Sequence, residues 1–157
     1  MSLTFVSPEP PQDTHQDTIS NTFFFPDLSL QEYREDMRVD GTVTPERLRK
    51  ALRTAIAEVN AELFVYREYQ QRAGFASLAD VPAEAIDGIS HRVTFYKQAV
   101  FSWARATLME KYRDYDATAE GVKKSDALDE AINEVWRNAH WAINGVQDRA
   151  HMTVELI

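Results

Sequence analysis

Cysteine is missing from all 157 residues. Disulfides, thiolate metal sites and thiol nucleophiles are thereby excluded. The absence is compatible with a reducing compartment. Positive charge is scarce, with 17 Lys and Arg against 25 Asp and Glu and a formal net charge of −8. A protein that grips nucleic acid by its phosphates carries a basic excess or a basic stripe. Here the overall field repels DNA, so the chain suits surrounding DNA better than adhering to it. No apolar run reaches the roughly 18 residues of a membrane-spanning helix. The first Lys or Arg is Arg34, so the N-terminus lacks the charged start of a signal peptide. A soluble protein, in the cytoplasm at synthesis, is the expectation.

Signatures of chemistry are equally scarce. The histidines are His15, His91, His140 and His151, none of them three or four residues from another. The residues three before them are Gln12, Gly88, Arg137 and Asp148, so the Glu-x-x-His pair of di-iron bundles does not occur. His-Glu-x-x-His and Gly-x-Ser-x-Gly are absent, and the five glycines are scattered rather than gathered into a phosphate-cradling loop. Asp114, Asp116 and Thr118 imitate the start of a calcium loop, but Ala119 stands where the turn glycine belongs and Ser125 where the closing glutamate belongs. The expectation is a protein without catalytic residues, metal or cofactor.

What is present is helical pattern. The apolar share of 44 % is enough for a core in one domain. Residues 1–22 read as a flexible acidic arm holding Pro8, Pro10 and Pro11. Within residues 1–28, Glu9, Asp13, Asp17 and Asp27 meet no basic residue, which puts half the net charge there. Phe23, Phe24 and Phe25 follow, either as a plug over one end of the core or as a contact with a neighbouring subunit. Ser29 with Glu32 has capping-box spacing and starts a short helix to about 38. Thr44, Pro45 and Glu46 begin a helix expected over 45–73, with Leu48, Leu52, Ala55, Ile56, Val59, Leu63 and Tyr66 as its apolar stripe. Residues 75–89 read as a connection that either packs down through Leu78, Val81 and Ile86 or projects as a contact arm.

A helix over about 91–115 is apolar nearly all round, which demands a central position or a face against another subunit. The last helix, about 122–148, points Leu128, Ile132, Val135, Ala139, Ala142, Ile143 and Val146 inward. Trp141 falls on the opposite face among Arg137, Asn144 and Asp148, either buried under the arm or at a subunit contact. Residues 151–157 alternate as an extended tail that suits pairing with another chain or fraying. The fold expected is all-α: a small bundle of three long helices plus short helical segments, spanning 23–150, with an extended arm and an extended tail.

Several segments together resemble one known family. They are Phe25-Pro26-Asp27, Met37 to Thr44, Arg47-Leu48-Arg49, Glu58 to Leu63, Leu78 to Glu84, Tyr112 to Thr118, Gly121, Lys123-Lys124, Trp136-Arg137, Trp141-Ala142 and Thr153 to Ile157. In order and spacing, over about 22–157, the chain resembles the phage head-completion (head-stabilisation) family called GPL, of temperate contractile-tailed phages and prophages. The resemblance implies a structural protein that completes and stabilises the DNA-filled head. By fold analogy it implies an adaptor ring under the portal, a dodecamer enclosing DNA, with a tail-proximal connector or tail-terminator protein beyond it. The expected place is the head–tail junction of the virion, and the host cytoplasm during assembly.

The candidate residues for portal or subunit contact are Val154, Glu155, Leu156, Ile157, Trp141, Phe23, Phe24 and Phe25. The competing expectation is a helical ligand- or DNA-binding module. The DNA version draws on the 45–73 segment, where six Lys and Arg outnumber four Glu.

Overall fold

In the computed structural model, residues 17–38, 43–115 and 122–149 are described. The fold is mostly helical. The helices are α1 (Leu30–Met37), α2 (Pro45–Glu62), α3 (Phe64–Arg72), α4 (His91–Tyr115) and α5 (Val122–Val146). Two antiparallel two-stranded pairs accompany them: β1 (Thr18–Ile19) with β2 (Leu28–Ser29), and β3 (Ala85–Ile86) with β4 (Ile89–Ser90). The region of the calcium-loop look-alike beyond Tyr115 and the expected tail at 151–157 lie outside the described residues, as do residues 1–16 of the arm.

Local chemistry explains two of the helix starts. Ser29 Oγ accepts from Glu32 N at 3.1 Å, and Asp17 Oδ1 accepts from Gln31 N at 2.9 Å. A carboxylate from the N-terminal segment therefore sits at the positive end of α1. The reciprocal half of the capping box does not form, because the Glu32 carboxylate turns to Lys97 Nζ, 3.0 Å from both its oxygens. At α2, Thr44 Oγ1 accepts from Arg47 N and Pro45 occupies the first turn.

The expected single helix over 45–73 is two. Leu63, with φ −96° and ψ 8°, interrupts it. Leu63 is itself fully buried, the last inward residue of the α2 stripe. Beyond it no residue of α3 is fully buried, and Tyr66 packs only partly against the core.

α4 is the centre. Tyr96, Ala99, Val100, Phe101, Ala104 and Ala106 are buried, and the helix packs along α5 on one side and α2 on another. Its nearly all-round apolar surface is thus largely satisfied within one chain. Trp103 meets Trp136 edge-on at 4.9 Å, and the Trp136 indole donates to Glu110 Oε1 at 2.7 Å. The connection after α3 divides into two behaviours: Leu78 and Val81 are buried, whereas Ile86, expected to pack, is exposed beside the tip of the β3–β4 hairpin. Asp87 (φ 55°) and Gly88 (φ 75°) form that tip.

Buried phenols give the fold a predicted alkaline limit. Burial pushes the Tyr33 hydroxyl up to about 12, against the opposing pull of Arg105 and then Arg34. Burial also raises Tyr96 and Tyr66. A raised folded-state value means the unfolded chain releases the proton first. The stability these phenols confer is therefore complete below about pH 10 and falls as pH rises toward 12. For Tyr33 alone, two units correspond to roughly 3 kcal/mol. Urea midpoints should hold to about pH 10 and then drop, with late-titrating phenols in the 295 nm absorbance. Tyrosines that all titrate together near pH 10 without unfolding would contradict this.

Candidate functional site

Phe23 is presented by a turn that is held from inside. Asn21 is its hub: its backbone N–H donates to Asp27 Oδ1 at 2.8 Å, and its side-chain amide donates to Pro26 O at 2.9 Å and to the Tyr96 hydroxyl at 2.7 Å. Asn60 donates to Asn21 Oδ1 at 3.0 Å and accepts from the Tyr96 hydroxyl at 2.6 Å. Phe24 O accepts from Leu78 N at 2.8 Å. A network closed among Asn21, Asn60 and the Tyr96 hydroxyl, joined by the Asp27 carboxylate, thus fixes the turn to α2 and α4, and the Leu78 bond ties it to the segment after α3.

The aromatic triplet does not act as a unit. Phe24 and Phe25 are 1 % and 4 % exposed, and Phe25 stacks on Tyr96 at 4.6 Å. Both are core residues in this chain, buried by the turn that Asn21 closes, which is the plug arrangement of the two alternatives. Phe23 points the other way and is 78 % exposed. A large ring held rigidly in solvent has the character of a binding anchor.

Trp141 is 37 % exposed on the outer face of α5, with the Arg137 guanidinium 5.9 Å from its ring centre. Val154, Glu155, Leu156 and Ile157 lie outside the described residues.

A second surface was not anticipated. α3 and the end of α5 form the two walls of an open groove of about 740 Å³, lined among others by Val65, Tyr69, Gln70, Ile143, Asn144 and Arg149. Among the described residues, none of the nine in α3 is buried, and Val65 and Tyr69 are 76 % and 69 % exposed. Their i, i+4 spacing off the Leu48–Leu63 stripe was a readable sign of a second apolar face. Arg92, outside the lining, donates to Val146 O at 2.6 Å and to Pro82 O at 3.2 Å. A guanidinium there complements the negative end of α5. Tyr66 lies beside it, its hydroxyl raised by burial, lowered in part by Arg92 and raised again by Asp148.

Among the described residues no group of three or more His, Asp or Glu is placed to hold a metal ion, and no helix is long and apolar enough to cross a membrane. The arrangement offers contact surfaces: one protruding aromatic and one open groove of mixed polar and apolar lining, on different elements.

Residues 19–157 match the family described as phage head completion protein (GPL). The chain is 47 % identical over 154 residues to the head completion/stabilization protein of Escherichia phage P2, covering 98 % of this chain and 90 % of that one. It is 26 % identical over 101 residues to the "probable head completion/stabilization protein" of Haemophilus phage HP1 (strain HP1c1), covering 64 % and 67 %. No solved structure matches the chain.

Proposed function

The chain belongs to the phage head completion protein (GPL) family, and from that premise we propose that it completes and stabilises the DNA-filled head as an adaptor ring between the portal and the tail-proximal connector. The observation that carries the ring is the pair of unlike surfaces on one chain. A closed ring requires a heterologous interface, in which two different faces of each subunit meet. The Phe23 knob and the α3–α5 groove are two such faces. The net charge of −8 suits a channel that lets DNA pass without adhesion. In this reading the copies form a dodecamer matched to the portal, at the head–tail junction.

The docking residues are proposed to be Val154, Glu155, Leu156 and Ile157, followed by Phe23 and Trp141. The division into an arm, a helical body and a tail from 151 is kept in this proposal, with residues 17–22 joined to the body through the Asp17 and Asn21 bonds.

The test is retention on assembled cognate portal of the full chain against a form ending at Ala150. Retention of the full chain and at least tenfold loss of the shortened one is expected. Equal retention keeps the adaptor and moves the contact to the body. Failure of both to bind sinks the adaptor reading, and measurable salt-dependent DNA affinity would then favour the DNA-binding alternative.

A further inference from the structure

We propose that the groove between α3 and the end of α5 is the seat of this chain's own C-terminal segment, residues 152–157. The first reason is α3 itself. A helix of nine residues is below the roughly 12–15 at which helices hold in water without a packed face. α3 packs on the core only through the partly buried Tyr66, and it leaves Val65 and Tyr69 exposed along the groove. Something apolar along that wall would complete it.

The second reason is the path of the chain. α5 ends in a left-handed cap: Asp148 has φ 56°, Asp148 N donates to Gly145 O at 3.2 Å, and Arg149 N donates to Asn144 O at 2.9 Å. The backbone reverses there, and Arg149 already lines the groove. Only residues 150 and 151 separate Arg149 from Met152. A tether this short gives a local concentration in the millimolar range, far above that of a second copy free in solution.

Reach and chemistry agree with this path. Eight residues after Arg149 span up to about 26 Å when extended, whereas the axis of α3 is about 14 Å long. In an extended chain Met152, Val154 and Leu156 share one face, and Thr153, Glu155 and Ile157 the other. The first face matches the exposed Val65 and Tyr69. An isolated strand leaves its backbone donors and acceptors unpaired. The side-chain amides of Gln70 and Asn144, which line the same groove, can both donate and accept.

The seat does not rest on the ring reading, but its consequence does. The segment that the proposed function sends to the portal or a neighbour is the one held here in the free subunit. Docking therefore requires release, and the portal competes with the groove for one strand.

The cysteine-free chain allows a direct test in the full-length protein. Val65→Cys is combined in turn with Val154→Cys, Leu156→Cys and Ile157→Cys, and each is mildly oxidised. At least one pair is expected to give an intramolecular disulfide, seen as a monomer with two hydrogens lost by mass. Disulfide-linked dimers alone would place a second copy in the groove and overturn the proposal, as would no bond from any tail position. Independently, Val154→Asp with Leu156→Asp should lower hydrogen-exchange protection of the 64–72 amides at least tenfold while the core of α4 is unchanged; unaltered protection overturns the seat. Oxidation of the bonded variant should reduce portal retention at least tenfold, reversibly with reductant. A bond that forms without affecting portal retention leaves the seat standing and removes the tail from the portal contact. Failure of the bond with tail-dependent portal retention does the opposite.

Discussion

Phe25→Ala is expected to destabilise the protein by about 3–5 kcal/mol, while Phe23→Ala, two residues away, should change stability by less than about 0.5 kcal/mol. Phe25 is in the core, stacked on Tyr96 with an interplanar angle of 8° and met edge-on by Phe24 at 5.0 Å. Truncation removes the ring's burial and leaves a cavity against Tyr96, whose hydroxyl organises Asn21 and Asn60. The turn cannot collapse into that space without breaking the Asn21 bonds, so little of the loss is recovered. Phe23 loses almost nothing on truncation because water already surrounds it. Its effect should appear in assembly, as at least a tenfold weaker association with head partners, in keeping with an exposed aromatic anchor. Urea denaturation of both variants separates the roles. Equal destabilisation by the two would refute the division of the triplet into core and surface.

That division marks the limit of what sequence pattern conveys. α1 was legible from its Ser29 cap, α4 from its run of apolar residues, and α5 from the Ile132–Val146 stripe. The break at Leu63 was not, because no Gly or Pro marks it and the stripe runs through it. It arises from tertiary preference: Leu63 goes fully inward, while in the helix that follows Tyr66 packs only partly against the core. The β3–β4 hairpin was legible and missed. Ile86-Asp87-Gly88-Ile89 carries the Asp-Gly signal of a tight hairpin, and both central residues adopt positive φ. The β1–β2 pair is two residues long on each side, too short for any period. Three adjacent phenylalanines carry no period either. Which of them is buried depends on Asn21, Asn60 and Tyr96, residues up to 75 positions apart that only the fold brings together. The α3–α5 groove needed the same knowledge, since its walls are far apart in the chain.

Gly145→Val should be about as damaging as a core deletion, near 3 kcal/mol, though it adds atoms rather than removing them. Glycine inside a helix ordinarily weakens it by about 1 kcal/mol relative to alanine, so its place near the end of α5 calls for a packing reason. That reason is the Phe95 ring on α4. A Cβ on residue 145 would stand 2.7 Å from the nearest ring carbon and 2.8 Å from two others. The ring has little room to withdraw, because His91 stacks on it at 4.2 Å. Gly145→Ala should then show two opposed effects: a helix-propensity gain of about 1 kcal/mol against an overpacking loss of about 1–3 kcal/mol. Val adds branching at the same carbon and has no rotamer that avoids the ring, so the loss dominates. Relief by Phe95→Leu in the Gly145→Val background, beyond the sum of the single effects, would identify the contact as the cause. Displacement of this end of α5 also pulls Val146 O from Arg92 and moves Ile143 and Asn144 in the groove wall. Gly145→Val should therefore weaken the V65C–L156C bond along with stability, whereas a protein as stable as the parent and equally crosslinked would show that α4 and α5 do not need this close approach.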